Sequence, residues 1–234
     1  MTVEILTTEM KPITSDKFYK TEHVNIPRHR QMPPDYNRVD DMSKPTLEYD
    51  DYLHFIRNKL GNSVTDDILK KSINPIAGQK ICELLRYNGS KQILEVGTYK
   101  GATLGLYKFI LPDSEVLTID PVLNQESVLI SELYESGVEF HTGTIDNLES
   151  DKKFDFVLID GDHTYDSCLN DWLNVQKFLA DKAVICFDDI DHGAGCGNVF
   201  YEIVEQDNFV TELVEVDGYP YIGIVYYNKQ ENTI

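Results

Sequence analysis

Carboxylates and an imidazole follow directly after two apolar segments of this chain. The segment FVLIDGDHTY (156–165) places Asp160 and His163 behind four apolar residues, and VICFDD ends in Asp188 and Asp189. A buried strand that ends in charge delivers functional groups to the carboxyl edge of a sheet, where open α/β folds bind ligands. Converging carboxylates repel one another unless they take up protons or share a cation. Ligation by oxygen alone suits Mg²⁺, Mn²⁺ or Ca²⁺ better than zinc.

The residues beside these aspartates admit more than one interpretation. The side chain of His163 titrates near neutral pH, so it could take a proton from an alcohol polarised by a metal ion. It could equally be a surface histidine, and the aspartates could be solvated strand ends. Asp162 and Thr164 are more typical of residues that begin a helix than of catalytic groups.

A second candidate site is the turn between an apolar segment and a helix in ILEVGTYKGATL. Gly97 and Gly101 permit a tight turn and let backbone N–H groups approach a ligand. The spacing departs from the GxGxxG of dinucleotide-binding proteins, because Tyr99 stands where a middle glycine could sit. The carboxylate of Glu95 would repel a pyrophosphate but could orient around an ammonium group. Asp120 ends the next apolar segment, where it could bind both ribose hydroxyls, and the pattern favours S-adenosylmethionine over NAD.

The order of apolar and amphipathic segments predicts the elements that position these residues. From residue 89 the two kinds alternate, which is typical of a parallel sheet covered by helices on both faces. Strands are predicted at 92–97, 115–120, 138–143, 154–160, 182–188, 209–216 and 221–228. Helices are predicted at 46–60, 75–87, 101–110, 124–136, 164–178 and 197–206. Asp217-Gly218 predicts a hairpin turn, so the expected fold is α/β, a doubly wound, Rossmann-like, seven-stranded and mostly parallel sheet ending in an antiparallel hairpin.

Three regions are expected along the chain. Residues 1–45 mix prolines, charges and isolated aromatic residues without a period, and they are predicted to form an extended arm. Residues 46–88 form a helical segment, and residues 89–234 form the ligand-binding domain. The arm could contact a second copy of the chain, which would make the protein a homo-oligomer.

Net charge and the distribution of apolar residues limit the classes of partner expected for the protein. The chain of 234 residues carries 40 acidic and 21 basic residues, and its net charge of -19 disfavours a nucleic-acid substrate. No apolar run reaches the roughly 20 residues of a membrane span, and the amino terminus lacks the order of a secretory signal. The four cysteines show no metal-binding spacing. A cytoplasmic protein without a membrane partner is expected.

From about residue 89 the chain resembles the class I S-adenosylmethionine-dependent methyltransferases. Among them it resembles the metal-dependent O-methyltransferases of the catechol and caffeoyl-CoA type, the macrolide-sugar O-methyltransferases and the cephalosporin-hydroxylase-like group. The resemblance is carried by LEVGTYKGATL, LTIDP, FDFVLIDGDHTYDSCLNDW and VICFDDIDH. It implies transfer of a methyl group from S-adenosylmethionine to a hydroxyl of a small molecule or sugar, with Mg²⁺ as the metal ion.

The resemblance also implies cofactor contacts for individual residues. The loop that holds the methionine part of the cofactor is matched by Gly97, Tyr99, Gly101 and Thr103. Asp120 matches the carboxylate that binds ribose, and Thr144 and Asp146 fall where the adenine is bracketed. Glu95 and Asp160 complete the expected cofactor contacts.

The expected metal ligands and base come from the same resemblance. Asp160, Asp188 and Asp189 match metal ligands, and His163 is the expected general base. Catechol-type relatives carry a lysine at the position of His163, whereas macrolide-sugar enzymes carry a histidine, which favours a sugar-like acceptor. Two alternatives remain open, namely a cephalosporin-hydroxylase-like metal enzyme on the same fold and a non-catalytic binding or assembly module.

Overall fold

The computed structural model describes residues 49–70, 74–190, 195–206, 209–216 and 219–229. The predicted arm at 1–45 and the predicted turn Asp217-Gly218 lie outside these ranges. Three helices come first, namely α1 (Tyr49–Leu60), α2 (Asn62–Leu69) and α3 (Pro75–Asn88). The chain then continues as β1 (Gln92–Val96), α4 (Ala102–Ile110), β2 (Glu115–Asp120), α5 (Gln125–Ser131), β3 (Val138–Thr142), β4 (Phe154–Ile159), α6 (Tyr165–Val175), β5 (Leu179–Phe187), α7 (Gly195–Glu205), β6 (Val210–Val216) and β7 (Tyr219–Asn228).

The described strands form a seven-stranded sheet in the order β3-β2-β1-β4-β5-β7-β6. Strands β1 to β5 pair in parallel, whereas β7 runs antiparallel to both β5 and β6. The predicted α/β fold with an antiparallel hairpin is therefore confirmed. The chain builds outward from β1 to β3 on one side and from β4 to β5 on the other. A crevice is expected where the order reverses, beyond the carboxyl ends of β1 and β4.

Hydrophobic side chains cover both faces of the sheet. Helices α1, α3 and α4 cover one face, where Tyr52 and Ile56 are fully buried. Helices α6 and α7 cover the other face, where Trp172 packs near Phe187. The Tyr52 hydroxyl donates to the backbone carbonyl of Ala102 at 2.6 Å, so α1 holds the first turn of α4 in place. Among the described residues, no helix is both long enough and apolar enough to cross a membrane.

Several elements differ from the sequence prediction, and three of them are instructive. Helix α2 was not predicted, because Gly61 ends α1 and the chain starts a new helix at the next residue, with Ile68 buried. Helix α5 ends at Ser131 and not at 136, since residues 133 and 134 continue with N–H bonds to carbonyls three residues back. Strand β5 begins at Leu179, three residues before the predicted start.

Candidate functional site

A cavity of about 990 Å³ lies over the carboxyl ends of the parallel strands. Eight of the predicted site residues line it, namely Gly97, Tyr99, Asp120, Thr144, Asp160, His163, Asp188 and Asp189. Glu95, Gly101, Thr103 and Asp146 do not belong to its wall. The fold thus brings the glycine loop and the acidic strand ends into one site, large enough for a cofactor together with an acceptor.

Gly97 lets the loop after β1 touch the end of β4. Its φ angle is 100°, and a Cβ atom there would lie 2.0 Å from the carbonyl oxygen of Asp160. The Gly97 N–H donates to the carbonyl of Ile119 on β2 at 2.8 Å. A side chain at this position would separate the strands that form the floor of the cavity.

The Asp120 carboxylate fixes the conformation of the loop that contains Tyr99. Tyr99 has a φ angle of 43°, which residues other than glycine rarely adopt. Its backbone N–H donates to Asp120 Oδ2 at 2.8 Å, and the N–H of Val122 donates to Oδ1 at 2.8 Å. Each carboxylate oxygen keeps further acceptor capacity, so Asp120 is held where it can also bind the two hydroxyls of a ribose.

Glu95 lies beneath this loop and not in the cavity wall, which corrects the expectation that it faces an ammonium group. Its side chain accepts a hydrogen bond from Thr118 Oγ1 at 2.5 Å, and Thr118 lies 2.5 Å from Thr98 Oγ1. Burial raises the pKa of Glu95 to about 8, although the Thr118 hydrogen bond opposes this. Glu95 therefore supports the loop through two threonines, from a site closed to solvent.

The other three predicted cofactor residues also lie outside the cavity wall. Gly101 begins α4 with a φ angle of 79°, and a Cβ atom there would lie 2.9 Å from the Cα of Ser127 on α5. Thr103 is buried within α4. Asp146 lies in a 3₁₀ turn at 145–147, where a hydrogen bond with Thr144 lowers the pKa of its carboxyl.

Asp160 and Asp188 emerge side by side from neighbouring strands. The last register pair of β4 and β5 is Ile159 with Phe187, and each aspartate follows by one residue, so both carboxylates lie on the same face of the sheet. Asp188 is 3% exposed, and its Oδ1 atom has no hydrogen-bond partner among the described residues. The two largest causes that raise the pKa of Asp160 well above its ordinary value are burial, which comes first, and the charge of Asp188. Burial followed by the charge of Asp189 raises the pKa of Asp188.

His163 lies between the aspartates. Its Nε2 atom is 3.9 Å from Asp160 Oδ1, and its Nδ1 atom is 3.8 Å from Asp189 Oδ2. Interaction with Cys196 raises the pKa of His163 to about 9, and the charges of Asp189 and Asp188 act in the same direction. The imidazole is therefore charged at neutral pH beside these carboxylates. A cation bound to the aspartates would oppose the contribution of Asp188 and Asp189 to this pKa, whereas the larger contribution of Cys196 would remain.

The donor chemistry of this acidic cluster fits a hard cation. Asp160, Asp188 and Asp189 offer only oxygen atoms, and Asp188 Oδ1 is a buried acceptor without a donor in the described structure. Asp189 also has a φ angle of 50°, a conformation that is often retained at functional sites. Within the described ranges, no three His, Cys, Asp or Glu side chains stand close enough together to hold a metal ion.

Asp171 and Tyr221 are among the residues of the cavity wall that sequence reasoning did not assign to the site. Asp171 on α6 is 8% exposed and lines the cavity, although helical periodicity predicts that apolar residues such as Leu173 occupy the buried face. Leu173 proves to be exposed, and Asp171 occupies the buried face in its place. Tyr221 reaches the cavity from β7, and burial followed by the charge of Asp188 raises the pKa of its hydroxyl. The sequence offered one signal for Asp171, namely its position next to Trp172, the single tryptophan of the chain.

Comparisons with known proteins agree with this geometry. Residues 94–190 match the family model described as a methyltransferase domain. No curated protein sequence matches the chain. The O-methyltransferase TomG from Streptomyces achromogenes, solved in complex with SAM, has a TM-score of 0.58 at 16% identity, over 76% of this chain and 96% of that chain. The O-methyltransferase from Bacillus cereus, in complex with SAH, has a TM-score of 0.56 at 19% identity, over 74% of this chain and 95% of that chain.

A putative caffeoyl-CoA O-methyltransferase from Staphylococcus aureus also shares the fold, with a TM-score of 0.54 at 18% identity, over 76% of this chain and 98% of that chain. The segment that matches the family model contains the glycine loop, Asp120 and the aspartates that end β4 and β5. The predicted resemblance is therefore confirmed. Residues 94–190 are thus similar to a methyltransferase domain, and the chain shares its fold with solved O-methyltransferases.

Proposed function

We propose that this protein is an O-methyltransferase that uses S-adenosylmethionine and Mg²⁺ and methylates a hydroxyl group of a small molecule or sugar. The observation that supports it best is that Asp160, Asp188, Asp189 and His163 all line the same cavity, with His163 within 4 Å of both Asp160 and Asp189. Such a set is suited to binding a cation and an acceptor oxygen together, next to a group that can take a proton.

In this proposal the loop after β1 and the Asp120 carboxylate hold the cofactor. Gly97 lets the backbone approach the methionine part, and Asp120 accepts hydrogen bonds from the ribose hydroxyls. Because Asp120 is already fixed by two backbone N–H groups, little side-chain conformational entropy is lost when the cofactor binds. A cofactor held there would share one cavity with the acidic residues, where it would supply the methyl group.

Asp160, Asp188 and Asp189 would hold the Mg²⁺ ion, which lowers the pKa of an acceptor hydroxyl when bound. His163 lies within 4 Å of two of these aspartates and is placed to receive the hydroxyl proton. Methyl transfer is a displacement at carbon, so alignment of the acceptor oxygen with the methyl group accounts for much of the catalysis. The remaining task of the chain is to hold both groups in that alignment.

The test is formation of S-adenosylhomocysteine from S-adenosylmethionine with a panel of sugar, aliphatic and catechol hydroxyls, with Mg²⁺ or with EDTA. We expect activity that needs Mg²⁺ and is lost in the Asp160→Asn, Asp188→Asn double variant. His163→Ala should lower kcat by about 100-fold or more, as expected for loss of a general base. Asp181→Asn is the control, because that exposed carboxylate pairs only with Lys229 among the described residues.

Mass spectrometry of the product separates this proposal from its alternatives. Addition of a methyl group supports the O-methyltransferase, whereas addition of an oxygen atom would favour the hydroxylase-like alternative. Binding of a protein partner that survives loss of both aspartates, with no turnover of any acceptor, would favour an assembly module. Undiminished methyl transfer in EDTA would remove the metal from the mechanism. Self-association through residues 1–45 stays a prediction, which the molar mass of the full chain in solution would check.

A further inference from the structure

Asp171 is a buried carboxyl group in the cavity wall that the proposed mechanism does not use. It lies on α6, its side chain is 8% exposed, and it still lines the cavity. No described residue forms a hydrogen bond or an ion pair with it. The carboxyl group is accessible only from the cavity side, so its unused hydrogen-bonding capacity is available to a ligand bound there.

The position of Asp171 assigns it to the cofactor half of the cavity. A Cβ atom at Gly161 would lie 3.1 Å from the Oδ2 atom of Asp171 and 3.7 Å from Cγ1 of Val96 on β1. Helix α6 packs against the turn at 145–147 that follows β3. The preceding Asn170 lies near Asp146 in that turn and contributes to the lowered pKa of its carboxyl. Asp171 therefore stands near the loop after β3 that is expected to bracket the adenine.

The surroundings of Asp171 favour its protonated form. Burial raises the pKa of Asp171 to about 7, and the nearby groups that add to this are Cys196 on α7, Asp146 in the 145–147 turn and Asp162 in the loop after β4. A protonated carboxyl group presents one donor and one acceptor side by side. Adenine presents the complementary pair, an exocyclic amine that donates beside a ring nitrogen that accepts.

We propose that Asp171 binds the adenine base of the cofactor, accepting from the exocyclic amine and donating to the neighbouring ring nitrogen. Gly161 leaves open the space between Asp171 and Val96 at the end of β1, which a side chain would fill. Asp171 is thus a specificity-determining residue that recognises the base, while Asp120 binds the ribose. This inference rests on the proposed function, because it takes S-adenosylmethionine as the cofactor.

The test is calorimetric titration of S-adenosylhomocysteine and of S-inosylhomocysteine, in which a carbonyl replaces the exocyclic amine. Asp171→Leu should weaken binding of the adenine ligand about 10-fold or more, which corresponds to loss of a buried hydrogen-bonded contact. Asp171→Asn keeps a donor and an acceptor and should bind within about threefold of the wild type. Preference for the adenine ligand over the inosine ligand should shrink about 10-fold in the leucine variant. Asp151→Asn is the control, because it removes an exposed carboxylate that does not line the cavity.

The pH dependence gives a second readout that does not need the leucine variant to fold. Wild-type affinity for S-adenosylhomocysteine should fall between pH 6 and pH 8, as Asp171 loses its proton next to Asp146 and Asp162. Asp171→Asn should not show this component, although titration of other cavity groups stays common to both proteins. An unchanged adenine preference or an identical pH profile in the asparagine variant would overturn the inference. Failure of the wild type to bind S-adenosylhomocysteine would instead overturn the proposed function.

Discussion

The two halves of the cavity are stabilised in opposite ways. In the cofactor half, the Asp120 carboxylate and the loop at Gly97 and Tyr99 have their backbone groups paired at 2.8 Å. In the acidic half, Asp160 and Asp188 lie together with raised pKa values, mainly because of burial, and one oxygen lacks a donor in the described structure. The backbone groups of the first half are paired without a ligand, whereas the second half retains a buried acceptor that has no donor among the described residues.

This difference shows where the fold holds unfavourable energy. Carboxylates that are buried together destabilise the folded chain, and they persist at sites whose function requires them. Substitutions in the cofactor half should therefore cost stability and binding together. Substitutions in the acidic half should lower activity while leaving stability unchanged or raising it.

The largest effect is expected for Gly97→Ala. The added Cβ atom would meet Asp160 O at 2.0 Å in a backbone conformation that disfavours alanine, so destabilisation of about 3 kcal/mol is expected, with loss of cofactor binding. Gly89→Ala is the matched control, because Gly89 also has positive φ but has no atom within 4 Å of the added Cβ. It should cost only about 1 kcal/mol in urea unfolding. Equal costs for the two variants would remove the close approach as the cause.

Asp188→Asn should reverse that pattern by stabilising the chain while abolishing activity. Its carboxyl has a raised folded-state pKa, so the stability it contributes is greatest in acid and is lost as pH rises towards neutrality. At pH 8 without Mg²⁺, the variant should gain on the order of 1–2 kcal/mol over the wild type in urea unfolding. Asp181→Asn should change stability by less than about 0.5 kcal/mol. A destabilised Asp188→Asn protein would mean that the acidic half is not strained.

Glu95→Gln extends the comparison to the support beneath the loop. The folded-state pKa of about 8 exceeds the ordinary value of 4.5, so this group stabilises the fold fully below that ordinary value and loses its contribution up to pH 8. Glutamine retains the acceptor for Thr118 but does not ionise. Between pH 6 and pH 8, the wild type should lose on the order of 2 kcal/mol relative to the variant. Parallel melting temperatures across that range would contradict this assignment.

The smallest effect is expected for Asp162→Ala, in the loop that joins the two halves. Its carboxylate accepts from the backbone N–H of Thr164 at 3.0 Å and from Ser167 Oγ at 3.3 Å, next to the start of α6. Removing these bonds should cost about 1 kcal/mol, as for other residues that begin helices. Methyl transfer should be nearly unchanged, because Asp162 holds the helix and is not among the proposed metal ligands. A loss of activity as large as that of Asp160→Asn would place Asp162 among the catalytic groups.

The sequence predicted the parts of the molecule in which local pattern and tertiary structure agree. Strands β1, β2 and β4 are mostly apolar and buried, and the aspartates that follow β4 and β5 meet because parallel neighbours share one edge. Helix α2 escaped prediction because it is eight residues long and follows a glycine that also ends α1. Glu95 was misplaced because alternation along a strand does not by itself tell which face meets the cavity.

Asp171 and Tyr221 illustrate a second limit of prediction. Helical periodicity identifies a buried stripe from its apolar residues, and a buried aspartate on that stripe contradicts the pattern. Tyr221 meets Asp188 only because β7 pairs with β5, a contact between residues far apart in the chain. Side chains that are buried for a ligand, and those that arrive through distant strand pairing, carry little local signal.

The insertion of β7 between β5 and β6 has a consequence for the order in which the chain folds during synthesis. Strand β6 leaves the ribosome before β7, yet it can join the sheet only through β7. Until residues 219–228 have emerged, β5 keeps an open edge, and the cavity lacks the wall that contains Tyr221. The nascent chain therefore presents an unpaired strand beside its acidic cluster, the condition in which chaperone binding matters most.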